Sequence, residues 1–93
     1  MEEDTFNWRC TIQWSSQPPD TLCLGTTEVA RLHQRVNDKT WFATLDQHLD
    51  YEKRRRRDCT SYESGKAGAM TWALRHEARI RREIEERRAK RRR

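Results

Sequence analysis

From Ser61 to Arg93 the chain reads as one long helix with two characters, and that rod limits what everything before it can form. Entry is marked by Thr60-Ser61-Tyr62-Glu63, where Thr60 has the spacing to accept from the helix amides and Glu63 to reach back. The front of the rod is small and apolar, and Gly65, Gly68, Ala69 and Ala73 lie close to one helical face. A face without bulk lets a helix axis approach a sheet closely. The back, Arg75 to Arg93, alternates Arg with Glu and offers only Ile80 and Ile84 for burial. Glu77 precedes Arg81, Glu83 precedes Arg87 and Glu86 precedes Lys90 by one turn, pairs worth ~0.2–0.5 kcal/mol each in a solvated helix.

The platform for that rod comes earlier. Phe6 to Trp14 alternates without a fault, with Phe6, Trp8, Cys10, Ile12 and Trp14 on one face, as a half-buried strand does. Pro18-Pro19 closes it, because two consecutive prolines withdraw two amide donors. A second strand is expected through Leu22, Leu24, Ala30 and Leu32, with a bulge or bend near Gly25-Thr26-Thr27 and Val29 out of phase. After a turn at Val36-Asn37-Asp38-Lys39, a third strand runs from Thr40 to Leu49 with Trp41, Ala43, Leu45 and Leu49 on one face. Arg54 to Arg57 reads as a wet charged loop between sheet and helix.

The fold class expected is therefore α+β, a three-stranded antiparallel sheet packed by one long C-terminal helix, in the order βββα. A nine-residue strand covers about 30 Å, whereas a helix from Ser61 to Arg93 would cover roughly 50 Å. Only about its first five turns fit over the sheet. The division that follows is an acidic tail over residues 1–5, a core domain over 6–74 and a projecting basic helical arm over 75–93.

Chemistry finds little support. The Cys and His residues are scattered singly, without the close pairs of zinc modules or a visible base-nucleophile pairing, and Gly65-Lys66-Ala67-Gly68 is no phosphate loop. Cys10, Cys23 and Cys59 read as reduced core residues. No enzyme activity, cofactor or metal is expected. With 38% charged residues, 33% apolar and a net charge of +5, the core is small and the excess positive charge sits in two runs. The acidic start lacks the features of a signal peptide and no apolar run reaches membrane length. A cytoplasmic protein without a membrane partner is expected, in the host cytoplasm if it is phage-encoded.

The candidate binding residues are those of the basic arm, Arg75, Arg79, Arg82, Arg87, Arg88, Lys90, Arg91, Arg92 and Arg93, with Arg54, Arg55, Arg56 and Arg57 as a weaker second set. Arginine-rich helices bind RNA through phosphate contacts and guanidinium stacking. The competing reading of the arm is a solvated helix neutralised by Glu77, Glu83, Glu85 and Glu86. A polar sheet face of Asn7, Arg9, Thr11, Gln13, Thr44, Asp46 and His48 reads as plain surface, without the paired exposed aromatics of an RNA-stacking sheet.

The pattern Phe6-x-Trp8-x-Cys10, then Trp41-Phe42-Ala43-Thr44-Leu45, then Cys59-Thr60-Ser61-Tyr62-Glu63-Ser64-Gly65 with Gly68-Ala69 and Trp72-Ala73, resembles the small accessory proteins of bacteriophages and mobile elements that pack three strands against one helix. Certain anti-CRISPR proteins are among them. The resemblance spans roughly Phe6 to Leu74 and implies a non-enzymatic inhibitor that binds a host protein or nucleoprotein complex, such as a CRISPR surveillance complex or RNA polymerase. The alternative is a direct RNA- or DNA-binding regulator using the Arg-rich helix. A third reading is a homodimer joined through the Ala and Gly face.

Overall fold

A computed structural model describes residues 5–10 and 19–91, with the side chain of Arg91 excluded. The acidic start, Thr11, Ile12, Gln13, Trp14, Pro18, Arg92 and Arg93 lie outside the described residues. The protein is α+β, but it has five strands and two helices, which corrects the expected βββα arrangement. The strands are β1 (Phe6–Arg9), β2 (Thr21–Leu24), β3 (Thr27–Gln34), β4 (Trp41–Leu45) and β5 (Arg55–Cys59). They pair antiparallel in sequence order, each with the next. The helices are α1 (Tyr62–Arg75) and α2 (Glu77–Arg91).

Two strands were hidden by sequence chemistry. The expected bend at Gly25 is a complete hairpin: Leu24 faces Thr27 across a two-residue turn, and Gly25 takes φ 64°. That left-handed conformation is open to glycine at no steric cost. The bulge lies further on, between Leu22 and Cys23, where Leu22 faces Ala30 but Cys23 faces Glu28. Val29 is the extra residue, and the shift turns its side chain into the core, fully buried. The other hidden strand is β5, built from the arginine run that was expected to be a loop. Its charges suit an edge strand, since they oppose pairing with a further chain.

One face of the sheet packs under the helices. Rows such as Trp8–Leu22–Ala30–Leu45 and Leu32–Ala43 cross it in register. Ala69, Ala73, Ile80 and Ile84 close the core from above. The tryptophans do not fill this core: Trp8, Trp41 and Trp72 are half-buried at its margin, and the centre is Leu, Val, Ile and Ala. Cys23 is buried and Cys59 half-buried, whereas Cys10 is exposed.

Helix α1 begins one residue later than expected. Ser61 caps it, accepting from the Ser64 amide at 3.1 Å, while Ser64 Oγ accepts from the Ser61 amide at 3.0 Å. Ser64 thus takes the place assigned to Glu63. Of the two glycines, only Gly65 sits at a close approach: a Cβ there would lie 3.0 Å from Cys59 Sγ and 3.1 Å from Leu32 Cδ2. A Cβ on Gly68 would meet nothing within 4 Å.

The rod breaks for one residue at His76 (φ −111°, ψ 20°), and α2 follows. It is not a projecting arm. Ile80 is 0% and Ile84 6% exposed, so the folded unit extends past the boundary expected at Leu74. The comparison of strand and helix lengths overlooked a second support. The connection from Asp46 to Arg54 reaches beyond the strands, and Asp46, His48 and Asp50 meet Arg79, Glu83 and Arg87, three residues at one-turn intervals on α2.

Candidate nucleic-acid interface

The opposite face of the sheet carries neither helix. Its register places Arg9, Thr21, Arg31, Thr44 and Arg56 in one row across all five strands. Neighbouring strands lie about 4.8 Å apart, so the three guanidinium-bearing strands recur at about 10 Å. The next row sets His33 beside Phe42, and their rings stack with centroids 4.9 Å apart at 17°. Arg35 and Arg56 lie over the Phe42 ring at 4.8 and 5.3 Å. Such cation–π contacts orient the flat guanidinium groups as extensions of the aromatic surface.

Arg31, His33, Phe42, Thr44, Gln47, Tyr51, Arg54 and Arg56 line one recess of about 490 Å³. Tyr51, on a short 3-10 turn, is 76% exposed at its edge. The lining holds three arginines and no carboxylate. Two carboxylates stand just outside it: Glu28 accepts from Arg31 Nη2 at 2.7 Å, and Asp58 from Arg35 Nη2 at 2.9 Å. Arg31 Nε is nevertheless buried without a hydrogen-bond partner. His33 is held below the usual histidine range by burial first and by Arg31 second, so it meets neutral solution as an uncharged aromatic ring.

The two residue sets expected from sequence have different positions. Of the arm, Arg79 Nη1 lies 3.1 Å from Asp46 Oδ1 and 2.9 Å from Glu83 Oε1, and Arg87 Nη1 lies 3.0 Å from Asp50 Oδ1. Arg82 is 4.0 Å from Glu86, while Arg75 and Lys90 are exposed. Arg88 lines a cleft beside Arg87, and Arg91 ends α2. The arm residues are therefore not one surface. Of the anticipated helix pairs, Glu77–Arg81 forms at 2.8 Å, but Glu83 takes Arg79 and His48 instead of Arg87. In the second set, Arg55 and Arg57 face the helix side, Arg55 at 3.9 Å from Asp46, whereas Arg56 points to the open face and Arg54 sits at its end.

Asp46, His48 and Glu83 do come together, with potential ligand atoms within 4.8 Å, although their sequence separation gave no hint of it. The Arg79 guanidinium stands between the two carboxylates, and His48 Nε2 lies 2.9 Å from Glu83 Oε1. This is a cation already supplied by the chain, in a cluster that fastens α2. Burial pushes the Glu83 carboxyl up, but hydrogen bonds from His48 and Arg79, with the Arg79 charge, hold it below the usual range. Asp46 and His48 were expected on the polar sheet face; they turn to α2 and are buried. Thr44 and Arg9 do lie on the open face.

No family model, curated protein or solved structure matches the chain. Sequence reasoning missed the His33–Phe42 pair because Phe42 was assigned to neither face of its strand and His33 was weighed only as a base or metal ligand. The signal was present in the alternation itself, which puts Phe42 on the face opposite Trp41.

Proposed function

We propose that this protein binds nucleic acid directly, through the open face of its sheet. The observation that carries the reading is the recess in which three arginines converge with a stacked His33–Phe42 pair and no carboxylate. Guanidinium groups neutralise phosphates and supply the sequence-independent part of affinity. Aromatic and guanidinium planes supply stacking surfaces for unpaired bases, worth ~1–3 kcal/mol per base. A base that enters beside Phe42 takes the position of one guanidinium, and the released guanidinium stays within reach of the adjoining phosphate. Recognition therefore needs no rebuilding of the sheet.

Inhibition of a host nucleic-acid machine, the reading implied by the phage-protein resemblance, and direct binding through the Arg-rich helix both drew on a free basic arm. With α2 docked through Ile80 and Ile84, direct binding by the sheet has the better support. The test is a fluorescence-anisotropy titration of the full chain with a labelled unstructured oligonucleotide over a salt series. Arg31, Arg54 and Arg56 together predict a log–log salt slope of about −2, and Phe42→Leu weakens binding at every salt. No binding at about 50 mM salt, or binding indifferent to Phe42→Leu and Arg56→Gln, refutes the proposal.

A further inference from the structure

The recess on the sheet does not end at the sheet. Gln47 and Arg54 line it, and the same two residues line a second cleft of about 240 Å³, whose far wall is Ile84, Arg87 and Arg88 of α2. The two depressions are thus one path that leaves the open face, passes over Arg54 and reaches the carboxyl-terminal turns of α2. Cationic groups follow it throughout, from Arg31 and Arg56 through Arg54 to Arg87 and Arg88. The carboxylate in the second cleft, Glu28, is bound to Arg31, and Asp50 nearby is bound to Arg87.

Resting on the nucleic-acid reading above, we infer that the ligand is a single strand several nucleotides long, laid along this path with its bases on the sheet and its backbone continuing onto α2. The path changes direction at the end of the sheet, because the recess lies on one face and α2 packs on the other. A single strand follows such a bend freely, whereas smooth bending of a duplex over so short a distance is costly, given its persistence length of about 150 base pairs. The stacking surface at one end requires unpaired bases as well. Phosphate contacts at the α2 end add affinity without sequence preference.

The path predicts a dependence on length that the sheet recess alone would not have. Oligothymidylates and oligouridylates of increasing length are titrated against the full chain and against Arg88→Ala and Arg87→Lys, with thermal melting as a check that α2 stays docked. Affinity should rise with length and then level off. Arg88→Ala should leave the shortest binding oligonucleotide unchanged and weaken the longer ones severalfold, while Arg87→Lys, which keeps the charge, should weaken them less. A length dependence that Arg88→Ala does not alter overturns the path and leaves the sheet site standing. A duplex that binds as tightly as the single strand overturns the choice of ligand, and absence of binding at every length refutes both this inference and the function it rests on.

Discussion

Two arginine-rich stretches of the same chain end in opposite conditions. In α2 two arginines, two turns apart, face carboxylates: Arg79 lies between Asp46 and Glu83, and Arg87 meets Asp50. Around the open face, Arg54 and Arg56 share a recess lined by no carboxylate, and Arg56 lies on an aromatic ring. Both stretches are rich in positive charge along the sequence. What differs is the spacing of acidic partners, which in α2 matches the helical turn and in β5 does not match the strand. Net charge therefore misleads as a guide to binding, because α2 uses its charge to attach itself.

The largest expected effect concerns that attachment. Ile80→Ala removes a fully buried side chain and should lower unfolding free energy by about 2–5 kcal/mol, measured by chemical denaturation. Truncation after Leu74 should destabilise the whole domain for the same reason. A stable, cooperatively folded truncation would return α2 to the condition of an appendage. Next in size, Phe42→Ala should weaken oligonucleotide binding by about 1–3 kcal/mol in anisotropy titrations, with little change in α2, because its ring lies on the other side of the sheet.

The pH dependence sharpens the comparison further. Glu83 has a folded pKa below its unfolded value, so its contribution is fully present above the ordinary glutamate pKa of about 4.3 and is lost as pH falls through the depressed folded value. Acid should loosen α2 in that window, and Glu83→Gln should flatten the dependence in denaturation midpoints taken from neutral to acidic pH. The smallest effect is expected at Arg82, exposed and 4.0 Å from Glu86. Arg82→Ala should change stability by less than about 0.5 kcal/mol, and a larger loss would show that the outer face of α2 is also engaged.

The legible part of the fold was whatever hydrophobic periodicity carries. The phase of Trp41, Ala43 and Leu45, the out-of-phase Val29 and the close approach at Gly65 all follow from side-chain spacing. Strand β5 was not legible, because Arg55 to Asp58 has no apolar alternation and its pairing is set by β4. The break at His76 was equally silent, as the helical hydrogen bonds resume across it, with Ile80 N donating to His76 O at 2.9 Å. At the candidate site, Arg54 and Arg56 were named, but Arg31 and the grouping of the three were not. Arg56 is joined to Arg31 and Phe42 by strand register and Arg54 by the recess they share, whereas the arm residues first named together are divided between ion pairs and solvent.

The central claim is that placement along the recess and the cleft that continues it, and not amount of charge, decides which arginines meet a ligand. It is tested most directly by comparing oligonucleotide affinity for two double variants that remove equal charge, Arg54→Gln with Arg56→Gln and Arg75→Gln with Arg82→Gln, at one salt concentration. The account predicts a loss of about tenfold or more for the first and no more than about twofold for the second. Equal losses would mean that the chain attracts nucleic acid only through its overall charge, and the site on the open face would have to be abandoned.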